Sequence, residues 1–356
     1  MCTIVFPFKA NAGFSSLCTG TAIKFDYAPV NLEETELFLP LGLMSGGHVT
    51  PIDHHYFQNF ANQEDDIEVY SPGDGIVTEI QHMGGAPAGK DYRVVIQHTC
   101  TVSTTFIHIQ TLADKLKAVA PENYAGVNIP VEAGEVIGWY RTNVDFNVVD
   151  TDVMLSGFIV PEHYDGEPWK IHVPDTYEYF NEPIKSRLAA KSVRTIEPIA
   201  GKIDYDIDGR LVGNWFEEGS DGYTGDGSRG ADYHKTHLSF AYDFMDPSLI
   251  IISMGDFNGK PNQYAAKGNS PDPAAISIGD GIVKYELVSW GYTTDKGNEW
   301  DKSKLAKVIK ATAGTHVDGT VLVQMLEGRK IKFEAFPGKT ALQVSGFTNN
   351  AKIYER

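Results

Sequence analysis

A chain of 356 residues is too long for one ordinary domain and has room for two, each burying its own core. Its 42% hydrophobic and 22% charged residues are those of a soluble globular protein, and a net charge of −17 argues against a nucleic-acid partner, whose phosphates need clustered Lys and Arg. With Gly 35, Pro 18 and Tyr 17 the composition favours β structure, and no apolar run approaches the roughly 20 residues needed to span a bilayer.

The opening stretch, "MCTIVFPFKANAGFSSLCTG", lacks a basic start and a sustained apolar segment, so it reads as a poor secretion signal; one removed ahead of it stays open. Cys2, Cys18 and Cys100 form neither a metal spacing nor a disulfide framework. Cys2 and Cys18 are read as a bridge in an exported protein or as free buried thiols. Short apolar runs then alternate with turns, as in "GTAIKFDYAPV" and "TELFLPLGLM". From Glu68 to Val149 the pattern sharpens into strands: "IEVYSPGDGIVTEIQ", "YRVVIQHT", "VSTTFIHI", "GEVIGWYR" and "VDFNVVD". Within this run "TLADKLKAV" predicts a helix with Leu112, Leu116 and Val119 on one face.

A loop rich in Pro, Asp and Gly follows, then a helix at "EPIKSRLAAKSV" with Pro183 in its first turn. The β pattern restarts after "RTIEPIAGK". The expected domains are therefore residues 1–195, with a core at about 45–150, and a second β-rich domain at 196–356. A helix is predicted at "KSKLAKVIKAT", and the strands "TVLVQML" and "KIKFEAF" finish the chain. "GDGIV" occurs at Gly73–Val77 and again at Gly279–Val283. Each copy predicts a tight hairpin with Gly at positive φ, convergent turn chemistry rather than a domain duplication.

Histidines and carboxylates gather in "GGHVTPIDHHYF", "VVIQHT", "FIHIQ" and "NVDFNV". A hydrolytic zinc site takes three protein ligands and an exchangeable water. His48, Asp53, His54 and His55 offer enough donors in one short stretch. On composition alone, a polar loop with histidines in local hydrogen bonds is the simpler reading.

The order of segments resembles the lysostaphin-type zinc endopeptidases. The strand before His98, the aromatic-x-His-aliphatic run Phe106-Ile107-His108-Ile109, and the turn Val131, Gly134, Ile137 and Gly138 follow one another as in that family. The resemblance covers roughly residues 45–150. It implies a small antiparallel β-barrel or sandwich domain and zinc-dependent cleavage of peptidoglycan cross-bridges or similar peptides.

The resemblance breaks down at the metal. The family's His-x-x-x-Asp ligand pair keeps its Asp as Asp53, but Val49 stands four before it and His48 is one place early. The family's H-x-H-F is Asn143-Val144-Asp145-Phe146 here. His108 alone carries over cleanly, at a catalytic position where it would act as general base or orient a water. Asp53 and Asp145 with His48 or His54 would form a two-carboxylate zinc set. Asn143 and Asp145, two apart on a strand, face the same side. A second anionic ligand makes a zinc-bound water less acidic. Asn143 shuttles no proton, a loss on the order of 10²–10⁴ in rate. Asp53 and His54 point to opposite sides of an extended segment, so His54 is expected to pack beneath the barrel and ranks second as a ligand.

In the second half, "DYDIDG" opens like a calcium loop, but its twelfth position is Trp215, so a hairpin turn is expected. His234 and His237, three apart on a strand, would face opposite ways. "EEGSDGYTGDGSRGAD" reads as a mobile acidic loop.

The expected protein is mainly β, with a peptidase-like domain whose zinc site is degenerate and no cofactor assigned beyond zinc in the rival reading. Its expected role is non-catalytic or weakly active binding of a peptide, glycan or protein in the former substrate groove. The rivals are an active zinc hydrolase with an Asp-containing ligand set and a structural component of a secreted or surface assembly. Neither a nucleic-acid partner nor a membrane span is expected. The resemblance implies an extracellular or cell-envelope location; without it the chain reads as cytoplasmic.

Overall fold

The computed structural model describes residues 18–64, 66–84, 91–226 and 232–356. The reading of Cys2 and the opening stretch lies outside the described residues, as does the 227–231 part of the acidic loop.

The first half is built of strands β1 (Leu37–Leu39), β2 (His55–Gln58), β3 (Ile67–Tyr70), β4 (Gly75–His82), β5 (Tyr92–Gln97), β6 (Val102–Ile109), β7 (Thr111–Leu112), β8 (Tyr124–Val131), β9 (Val136–Tyr140) and β10 (Asn143–Asp150). Helix α1 (Asp114–Lys117) lies between β7 and β8, and α2 (Ile184–Lys191) follows β10. Seven strands form one antiparallel sheet in the order β1-β2-β10-β6-β5-β4-β8, and β3-β9-β7 form a second. The two sheets share one core, with Ile67, Val69, Ile137 and Tyr140 from one meeting Val77, Val94, Phe106 and Phe146 from the other. Each aromatic or aliphatic side chain buried there contributes about 1.5–3 kcal/mol.

Position in the sheet explains the burial pattern. β10 lies between β2 and β6 and is buried at all but its first residue. β8, at the edge, alternates exposed and partly buried residues, and an edge is where its Pro130 does least harm to a ladder.

The second half contributes β11 (Gly213–Glu217), β12 (His237–Tyr242), β13 (Ile250–Phe257), β14 (Lys260–Ala266), β15 (Ile282–Val288), β16 (Trp290–Thr294), β17 (Val308–Ala313), β18 (Gly319–Leu326), β19 (Lys330–Pro337) and β20 (Lys352–Glu355). β11-β12-β13-β14-β15-β18-β19-β20 close into a barrel, and β16 and β17 form a separate ribbon. Trp215, Phe240, Ile252, Leu287 and Val323 fill the barrel, as an eight-stranded interior allows. No described helix is long and apolar enough to cross a membrane.

The mainly β expectation holds, with several corrections. The first half takes the sandwich form of the expected barrel-or-sandwich domain, and the closed barrel lies in the second half. α1 is a single turn: Leu112 belongs to β7 and Val119 is exposed. The predicted helix "KSKLAKVIKAT" is a turn leading into β17, because Val308, Ile309 and Thr312 suit pairing with β16 better than a helix. α2 forms as expected, with Pro183 at its N-cap. "DYDIDG" turns at Asp208–Gly209, with no strand on its N-terminal side. His234 lies in a short 3-10 turn ahead of β12, so only His237 is on the strand.

Neither "GDGIV" is a hairpin. β4 pairs with β5 and β8, not with β3, so Gly75 serves a close approach: a Cβ there would lie 2.8 Å from the Gln97 carbonyl oxygen. In the second copy Gly281 alone has positive φ, at 65°, closing a 3-10 turn before β15. Cys18 is bonded to Cys100, not to Cys2.

Candidate functional site

The site is assembled where β2, β10 and β6 lie side by side. β10 runs antiparallel to β2 with Asn143 opposite Gln58 and Asp145 opposite Tyr56, and to β6 with Asp145 opposite Ile107. Asn143 and Asp145 face one side as predicted: Asn143 Nδ2 donates to Asp145 Oδ1 at 3.1 Å.

His108 reaches the same carboxylate through a bulge. Tyr92 pairs with Ile109 and Val94 with Phe106, so Ile107 and His108 stand opposite Arg93 alone. His108 takes the left-handed conformation, φ 73°, which is costly for a residue with a Cβ and re-aims its ring. Its Nδ1 lies 3.0 Å from Asp91 Oδ1 and its Nε2 3.5 Å from Asp145 Oδ2. Asp91, opposed in part by burial and supported by Asp145, raises the His108 pKa above its ordinary value.

Asp53 and His54 precede β2 in a bend, not in extended chain. The alternation expected of them therefore fails. Their side chains meet, His54 Nδ1 lying 3.4 Å from Asp53 Oδ1 and His54 Nε2 3.2 Å from Asp145 Oδ2. His54 is thus held between two carboxylates. The histidine that packs inside is the next one: His55 is fully buried and stacks on Tyr177, with ring centroids 5.2 Å apart.

Electrostatics follow from this placement. Burial alone would lower His54, but Asp145 and then Asp53 outweigh it and lift the ring to about 9. Burial would raise Asp53, while Lys170 and His54 hold its carboxyl below the usual range. Lys170 is itself buried, in a 3-10 helix spanning Pro168–His172; it donates to the Pro51 carbonyl at 2.8 Å and lies 4.0 Å from Asp53 Oδ1. Asn147 Nδ2 donates to the Asp53 carbonyl at 3.1 Å and fixes the bend.

His48 stands apart. It lies at the end of a tight turn with Ser45, exposed, with its ring 6.2 Å from that of His54. The surrounding protein, then the cations His54 and Lys170, depress its pKa. Of the four ligand candidates, Asp53, His54 and Asp145 come together and His48 does not join them. Asp91 and Lys170 escaped sequence reasoning; one follows the Gly- and Pro-rich stretch of sequence before β5 and the other sits in a short 3-10 helix far along the chain, and neither has a spacing that ties it to the others.

Among the described residues, no group of three or more His, Cys, Asp or Glu side chains is placed to hold a metal ion. With His54 Nε2 turned to Asp145 and Nδ1 to Asp53, both its nitrogens face carboxylates, and the donor set does not fit a bound zinc as arranged. The loop after β10 passes behind this centre, leaving the His108 side chain 41% exposed at the mouth. A separate cleft of about 750 Å³ opens past Gln58, and its lining includes neither His108 nor Asp145. We place the candidate site at the histidine–carboxylate cluster, where the chemistry is.

No family model matches this chain, and no curated protein matches it. Among solved structures it is similar to a zinc-containing peptidase from Vibrio cholerae, 18% identical, covering 36% of this chain and 37% of that one, with a TM-score of 0.26. It is also similar to the antimicrobial peptidase lysostaphin from Staphylococcus simulans, 12% identical, covering 83% of this chain and 100% of that one, with a TM-score of 0.28. The chain thus spans about 37% of the length of the first of these. Superpositions this poor carry no weight for the chemistry of this chain.

Proposed function

We propose that the chain is a binding protein with a peptidase-like first half whose former metal centre is closed by an internal ion pair. The observation that carries this reading is His54 between Asp53 and Asp145: a protonated imidazole supplies the positive charge that two buried carboxylates need. Asn143, hydrogen-bonded to Asp145, has no proton to shuttle. What remains accessible there is His108, at the mouth, which would receive a segment of peptide, glycan or protein. The Cys18–Cys100 bridge supports an oxidising, extracellular or cell-envelope location.

A second reading, a zinc hydrolase with an Asp-containing ligand set, draws on two buried atoms without a hydrogen bond, Asp53 Oδ2 and His54 Nε2. Metal analysis of protein purified without added zinc separates the two. The binding reading expects far less than one zinc per chain. One zinc per chain, lost in both Asp53→Ala and Asp145→Ala, would overturn it.

A further inference from the structure

The cleft past Gln58 lies between the sheet of the first half and the outside of the barrel, and is lined by Ser45, Gln58, Phe60, Gln263, Trp290 and Trp300 among others. Its volume of about 750 Å³ is that of a small-molecule site. It is independent of how the His54 centre is read.

Trp290, Tyr292 and Trp300 in it have already spent their polar atoms. Trp290 Nε1 donates to the Tyr292 hydroxyl at 2.9 Å, and that hydroxyl donates to Asp243 Oδ2 at 2.6 Å. Trp300 Nε1 donates to the Lys304 carbonyl at 3.0 Å. These bonds lock the rings, so what half-buried Trp290 can offer a ligand is its face. The two carboxylates in the cleft are answered as well, and its one lining cation among the described residues is the exposed Lys302. Asp243 also accepts from the amides of Met245 and Asp246, and Asp301 from the amide and hydroxyl of Ser303. A net charge of −17 further disfavours an anion.

The amides complete the pattern. Gln263 exchanges two hydrogen bonds of 3.0 Å with the Gly46 main chain and braces one wall. Gln58 makes no side-chain hydrogen bond among the described residues, and its amide carries donors and an acceptor together. A rigid aromatic face beside an unspent amide, with both lining carboxylates answered, suits a ring that is apolar on its C–H face and bears hydroxyls on its edge. A polyproline segment also seeks aromatic ledges, with neither indole N–H here left to meet its carbonyls.

We propose that this cleft binds a neutral oligosaccharide, with one sugar ring stacked on Trp290 and its hydroxyls read by the Gln58 amide. The test is a tryptophan-fluorescence titration of the full chain with cellotriose, maltotriose and tri-N-acetylchitotriose, and with decaproline for comparison. At least one trisaccharide is expected to give a saturable change. Gln58→Ala should weaken it about tenfold, the worth of one hydrogen bond. Trp290→Ala should abolish it; because Trp290 also packs inward, the Gln58 variant decides if that one misfolds. No saturable response to any trisaccharide at millimolar concentration, an affinity unchanged by Gln58→Ala, or a response to decaproline alone would overturn the proposal.

Discussion

His54 Nε2 lies 3.2 Å from Asp145 Oδ2, across the gap between the bend before β2 and the start of β10. Both side chains are nearly buried, so the contact matters more than a surface pair would. It also fixes how stability depends on pH. The folded-state pKa of His54, about 9, lies above its ordinary 6.5. Its contribution is complete below about 6.5 and is lost as pH rises towards 9. His54→Gln should therefore flatten the alkaline fall in unfolding free energy, measured by denaturant titration from pH 6 to 9; an unchanged slope would refute the pairing.

The acid side is governed by histidines kept neutral. Burial lowers His55 to about 3, His98 to about 4 and His237 to about 3. Between about 3 and 6.5 the unfolded chain takes up protons that the fold refuses, so stability rises with pH across that window. Each proton contributes a slope of at most about 1.4 kcal/mol per pH unit. Asp206 opposes them, since burial lifts it from 3.8 to about 6 and its contribution falls as pH rises there. His48, held at about 4, adds a fourth such proton. Burial raises Asp175 and Asp243 in the sense of Asp206, Asp53 is held below the usual range, and the net acid limb should slope downward towards low pH. His55→Phe, which keeps the stack on Tyr177, should make that limb shallower.

Asp91 sets the state of His108. Its carboxylate is 3.0 Å from Nδ1 and is the leading cause of the raised pKa. Asp91→Asn should bring the His108 ring towards its ordinary value, followed by NMR titration of its C–H protons. Asp145 remains, so a residual elevation is expected. No downward movement at all would show that the contact does not persist in solution.

How much of this was legible in the sequence depends on the reach of each interaction. Alternation and β-branched runs mark β3 to β6, β9 and β10, because strands carry their signal locally. The shared face of Asn143 and Asp145 follows from a spacing of two. "KSKLAKVIKAT" misleads because Lys, Leu and Ala favour a helix, while pairing with Tyr292 and Thr293 on β16 wins. His54 misleads because one bend, held by Asn147, undoes the alternation. Lys170 and the partner of Cys18 lie 117 and 82 residues from what they touch, and no local pattern records such contacts.

The Cys18–Cys100 bridge joins the start of the described chain to the turn between β5 and β6. A link across a loop this long restricts the unfolded chain, an effect of about 2–4 kcal/mol. Cys100→Ser should lower the unfolding free energy by about that amount. In the wild-type chain, thiol titration in denaturant should gain two groups on reduction. A gain of none would mean the bridge does not form.

Lys170 makes the strongest case for a buried charge with a purpose. Its ammonium lies 5.2 Å from the Tyr223 ring centroid, donates to Pro51 and is 4.0 Å from Asp53 Oδ1. Asp53 Oδ2 has no hydrogen bond of its own, so the carboxylate leans on Lys170 and His54 for its charge balance. Removing one partner of such a pair leaves the other stranded in a low-dielectric interior, at a cost of about 3–5 kcal/mol. Lys170→Met, which keeps the packed stem, should therefore destabilise strongly. Adding Asp53→Asn removes the stranded charge, so the double variant should recover much of the loss. If the two losses simply add, Lys170 is holding the loop by its bond to Pro51 and does not answer Asp53.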